Sequence, residues 1–134
     1  MLEYNLIDNK KNYFEEYKNK PLFLFNILKK IYTLNDNFNY GVTLYEQICN
    51  KVSVDTLKYY LNSRYNLNNN NYFYIDSVLI ELKYSRIVIK SKNINPKIME
   101  VFNCYNKNIF VCDFINNNYF WLDKFSKSRF LTTI

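Results

Sequence analysis

The sequence predicts an α+β fold: N-terminal helices followed by a mostly antiparallel sheet with one helix packed on it. Two observations carry this. Apolar residues recur at helical spacing through residues 1–67 and at strand spacing through residues 72–134, with the run Asn68-Asn69-Asn70-Asn71 at the change of period. Hydrophobic residues make up 49% of the 134, enough to build the core of a single compact domain spanning 1–134, so the abundant Asn and Lys do not signal disorder.

In chain order, residues 8–18 predict a short helix capped by Asp8, with Tyr13, Phe14 and Tyr17 on one face. Pro21 predicts the first residue of a second helix, where its missing N–H costs nothing, and Leu24, Ile27, Leu28 and Ile31 form the buried stripe of residues 21–33. Gly41 marks a turn. Residues 43–50 predict a third helical segment. Ser53 then caps a helix reaching about Tyr65, with Asp55 in its first turn and Leu57 and Leu61 facing inward. Beyond the Asn run, 72–75, 78–82 and 86–90 read as strands. Asn95-Pro96 opens a helix to about Tyr105, with Ile98, Val101, Phe102 and Tyr105 on its inner face. Strands at 109–114 and 119–125 flank Asn116-Asn117-Asn118, a turn in which Asn tolerates positive φ. Residues 130–134 read as a last short strand.

Composition bounds origin more than chemistry. The chain has no Ala, no His and one Gly, but 23 Asn and 25 Phe plus Tyr. No folding requirement removes Ala, the best helix former. The residues in excess share AT-rich codons, so the skew points to an AT-rich genome: a virus, phage, mobile element, organelle or AT-rich bacterium. The net charge of +6 is uneven. Residues 1–76 hold nine Lys/Arg against eight Asp/Glu (+1), and residues 77–134 hold nine against four (+5). Three cysteines without CxxC spacing argue against a disulfide framework. The first residues lack the charged-then-apolar pattern of a signal peptide, and no apolar run reaches membrane-spanning length. Together these predict a soluble cytoplasmic protein that does not engage membranes.

Two stretches present candidate binding residues. The first is the helix pair around Val52-Ser53-Val54-Asp55-Thr56-Leu57, followed by two strands. It resembles a winged helix-turn-helix, with 21–33, 43–50 and 54–65 as its helices and Tyr72–Leu82 as the wing. The resemblance implies DNA contact through Lys58, Asn62 and Arg64 of the third helix. Residues 41–66 nevertheless carry a net charge of only +1, and two packed helices of an α+β domain would give the same pattern. The second is Leu82–Met99, which holds Lys83, Arg86, Lys90, Lys92 and Lys97 and no acid. On a strand, Tyr84, Arg86, Val88 and Lys90 share one face while Ile87 and Ile89 point to the core. Tyrosine among cations on a sheet face suits single-stranded nucleic acid, through base stacking plus phosphate neutralisation. The same residues would also serve as a solvated face or a lysine-protected edge.

Enzyme chemistry finds few candidates. Without His there is no ordinary base for a Ser or Cys nucleophile and no imidazole metal ligand. Asp76 with Glu81-Leu82-Lys83 matches the acidic pair and Glu-x-Lys of metal nucleases only superficially, because five residues leave no room for two separate acid-bearing strands. One Gly cannot build a phosphate-cradling loop. The sequence thus predicts a non-enzymatic binding protein without metal or cofactor. Its partner is expected to be nucleic acid or a nucleoprotein complex, engaged through the basic stretch. The alternatives are a host protein, such as a defence complex or enzyme that it inhibits through its Tyr- and Phe-rich surface, and a larger assembly, such as an organellar ribosome or polymerase, of which it is a subunit.

Overall fold

The computed structural model describes residues 2–33, 47–62, 65, 70–92, 97–105 and 108–123. Its centre is a strand that the periodicity reading left out. β1 (Leu2–Asp8) pairs antiparallel with β4 (Ile87–Ser91) on one side and with β5 (Ile109–Asp113) on the other. The hairpin β2 (Tyr72–Ile75) and β3 (Val78–Leu82) extends the sheet beyond β4, and β6 (Asn118–Trp121) extends it beyond β5. The result is a six-stranded antiparallel sheet in the order β2-β3-β4-β1-β5-β6. Four helices are described with it: α1 (Lys11–Tyr17), α2 (Pro21–Thr33), α3 (Val54–Asn62) and α4 (Ile98–Tyr105), which makes the fold α+β.

Alternation of side chains places a core on each face of the sheet. On the first face, Tyr4 and Leu6 of β1 join Ile80 and Leu82 of β3, Ile87 and Ile89 of β4, and Ile109 and Val111 of β5. Leu57 and Leu61 of α3 and Ile98, Met99 and Phe102 of α4 close over them. On the second face, Ile7, Phe110, Cys112 and Trp121 meet Leu24, Phe25 and Leu28 of α2, with Phe14 of α1 edge-on to Trp121 at 5.0 Å. Phe25 stacks on Tyr119 at 4.7 Å and on Phe114 at 5.7 Å. The aromatics here fill volume that smaller residues fill in chains containing Ala.

Local chemistry explains the turns. Asp76 and Ser77 both have positive φ (51° and 66°), as the two central residues of a two-residue β2–β3 turn of the primed type require. In the β5–β6 turn Asn117 takes φ 53°, and Asp113 Oδ1 accepts hydrogen bonds from the backbone N–H of Ile115 and Asn116. Ser53 precedes α3 as expected, its hydroxyl 3.0 Å from that of Thr56.

Several boundaries differ from the sequence-based reading. The chain begins with the strand β1 rather than with helices. Asp8 ends that strand, and Lys10, not Asp8, occupies the N-cap of α1. α3 ends at Asn62, and β6 stops at Trp121. The Asn95-Pro96 start of the fourth helix, the 130–134 strand, and most of the 43–50 helix lie outside the described residues. α2 and α3 contribute to different cores, one on each face of the sheet.

Because Leu6 is buried in the central strand, Leu6→Ala is expected to cost about 2–5 kcal/mol in urea unfolding. Leu22→Ala, at a position 53% exposed on α2, is expected to change stability by less than about 0.5 kcal/mol.

Candidate binding face

Among the described residues, helices close over only one half of the second face of the sheet. α1 and α2 close over β1, β5 and β6, and no described helix packs over β2, β3 and β4 on that side. The register sets the open rows. Tyr74, Leu79, Lys90 and Glu3 lie across from one another in one row, and Tyr72, Glu81, Val88 and Asn5 in the next. Tyr72 and Tyr74 are 56% and 70% exposed, whereas Leu79, Glu81 and Lys90 are half-buried and Val88 is fully covered. Two tyrosines on an edge strand therefore stand beside an apolar and charged strip.

The charges on this strip are matched. Glu81 lies diagonally across from Lys90, whose Nζ sits 3.2 Å from one carboxylate oxygen, and Lys83 Nζ is 3.8 Å from the other. Such partly exposed pairs add little stability. Their consequence is for the field: one carboxylate serves two of the cations expected to meet a polyanion. Arg86 is also engaged, its guanidinium 4.5 Å from the centre of the Tyr32 ring. The Tyr32 hydroxyl donates to Ser85 at the β3–β4 turn, and burial pushes its pKa well up despite that hydrogen bond.

The remaining predicted site residues disperse. Tyr84 is exposed at the tip of the β3–β4 turn, where its carbonyl accepts the Val52 N–H at 2.8 Å. Lys92 is exposed just beyond β4, and Lys97 is exposed ahead of α4. Lys58 is half-buried and Asn62 exposed on α3, the helix that packs on the opposite face of the sheet from Lys90. Arg64 lies outside the described residues. Lys83, Arg86 and Lys90 thus cluster, whereas Lys58 and Asn62 belong to another surface.

Sequence reasoning missed a cleft where α2 gives way to the open half-sheet. Glu3, Asn5, Tyr32, Arg86, Phe114 and Ile115 line a volume of about 180 Å³. Asn5 is 3% exposed; its Nδ2 donates to the Cys112 carbonyl at 3.2 Å, while its Oδ1 has no partner. A buried acceptor left without a donor costs about 1–3 kcal/mol. An Asn inside the otherwise apolar Tyr4–Ile7 run was the signal available in the sequence. A smaller cleft of about 90 Å³ lies on the opposite face, between Leu6, Leu57 and Ile109, with Asp8 at its rim. Burial raises the Asp8 pKa, outweighing the hydrogen bond from Asn50.

No described cluster of Cys, Asp and Glu is arranged to hold a metal ion. Cys49 and Cys112 are buried free thiols, the first pushed up to about 12 by burial, and neither is poised as a nucleophile. No described helix is long and apolar enough to cross a membrane. No protein-family model matches the chain, and no curated protein matches it.

Two outcomes follow from this geometry. Glu81→Gln removes the carboxylate shared by Lys83 and Lys90, so the variant is expected to elute from a heparin column at higher salt than the parent protein. Asp8→Asn tests the buried carboxyl. The folded protein holds the Asp8 proton more tightly than the unfolded chain does, so protonation stabilises the fold. That stabilisation is complete below the ordinary value of 3.8 and is lost as pH rises through the raised value. The variant is therefore expected to have a higher urea midpoint than the parent at pH 7, with the difference gone near pH ~3.

Proposed function

We propose that this protein is a non-enzymatic binding module that docks on a protein partner through the open half of its sheet. The observation that carries this reading is the pairing of exposed Tyr72 and Tyr74 with a strip whose lysines share Glu81. Exposed tyrosines beside half-buried apolar and charge-matched groups suit a protein surface, where Tyr is enriched among the residues that dominate binding energy. The AT-rich composition fits a viral, phage or mobile-element gene, and a host protein inhibited by occlusion is the matching partner. Free buried thiols fit work in a reducing compartment such as the cytoplasm.

A second reading keeps nucleic acid as the partner. It is favoured by exposed Tyr84 close to Lys83 and Arg86 at the β3–β4 turn, which with Tyr72 and Tyr74 offers rings for base stacking.

The experiment is affinity purification of the tagged full chain from its source cells, with and without nuclease, comparing the parent protein with Tyr72→Ser/Tyr74→Ser and Lys83→Glu/Lys90→Glu. One dominant protein that survives nuclease and binds the tyrosine variant about 30-fold more weakly is the expected result. Recovery of nuclease-sensitive material, lost in the lysine variant and kept in the tyrosine variant, would establish the second reading instead.

A further inference from the structure

We propose that the cleft between α2 and the open half-sheet binds a free α-amino acid with an apolar side chain. The chemistry of its wall specifies this ligand. Arg86 lies over the Tyr32 ring, which leaves the edge of the guanidinium, a planar fork of N–H donors, for a carboxylate. No ion pair of Arg86 or of Glu3 occurs among the described residues: Lys90, across from Glu3 in the register, turns its Nζ to Glu81 instead. Asn5, whose amide is held by its bond to the Cys112 carbonyl, adds a neutral polar side chain to the lining.

Among the described residues the cleft therefore offers one cationic donor fork and one carboxylate, with no net charge. A zwitterion satisfies both at once. Its carboxylate takes the Arg86 fork, and its ammonium donates to Glu3. A simple anion would face Glu3, and a simple cation would face Arg86. Phe114, Ile115 and the Tyr32 ring form the apolar remainder, which suits an aliphatic or aromatic side chain. A volume of about 180 Å³ also falls short of the roughly 300 Å³ at which pockets for larger ligands begin. Occupancy of this cleft does not depend on the partner that engages the tyrosines.

The test is a two-dimensional NMR titration of the isotope-labelled full chain with L-leucine, L-isoleucine and L-phenylalanine, up to ~10 mM each. Saturable shifts of the Asn5 side-chain amide and of the Tyr32 and Phe114 backbone amides are expected for at least one of the three. Two relatives of leucine each lack one charge: isopentylamine has no carboxylate and 4-methyl-2-oxopentanoate has no ammonium. Each is expected to bind at least tenfold more weakly than leucine. Glu3→Gln, a partly exposed position, is expected to weaken the amino acid at least tenfold and leave the ketoacid unchanged. The proposal is overturned if no amino acid produces saturable shifts at those residues, or if the amine or the ketoacid binds as well as leucine. The analogue comparison holds even if a variant fails to fold, because it uses the unaltered protein.

Discussion

The structure depends on the pairing of β1 with β4 and β5 at the centre of the sheet. This strand joins residues that are about a hundred positions apart in the chain: Asn5 lies across from Cys112 and Leu6 from Val111. Without it, the β2–β3–β4 meander and the β5–β6 hairpin are separate pieces, each too small to bury a core. With it, two apolar layers form back to back. Tyr4 and Leu6 feed the layer under α3 and α4, and Ile7 feeds the one under α1 and α2. Such long-range pairing has an entropic cost that local helices do not.

Unequal coverage follows from this arrangement. α1 and α2 follow β1 directly and pack near it, over β5 and β6, which leaves the same face of β2, β3 and β4 without a described helix. The cleft lined by Asn5 and Arg86 sits at the border, where the described helical layer stops. One constraint thus produces both features of functional interest, the open tyrosine-bearing strip and the polar cleft beside it.

Much of the fold was legible in the sequence. The β2–β3 hairpin showed as two short runs of aromatic and aliphatic residues on either side of Asp76-Ser77, and α2 showed its Leu24, Leu28 stripe behind Pro21. β1 was not, because a central strand buried on both faces loses the period-2 signal: Leu6 and Ile7 are adjacent and both buried, and Asn5 interrupts the run. The basic stretch 82–99 was legible as composition but not as a field. Its neutralising acid, Glu81, stands just outside that window and reaches Lys90 only through the β3–β4 register, which local spacing does not determine. The Arg86–Tyr32 stack likewise joins residues far apart in the chain.

A binding face on this half-sheet requires that it be open to solvent in the free protein. Hydroxyl-radical footprinting read by mass spectrometry measures this directly, because tyrosine oxidation follows side-chain exposure. Tyr72 and Tyr74 are expected to oxidise rapidly, at rates close to that of exposed Tyr59 on α3, while Tyr4 in the central strand stays protected until the protein unfolds. Tyr72 and Tyr74 as protected as Tyr4 would mean that another part of the chain covers the strip, and the binding face described here would not exist.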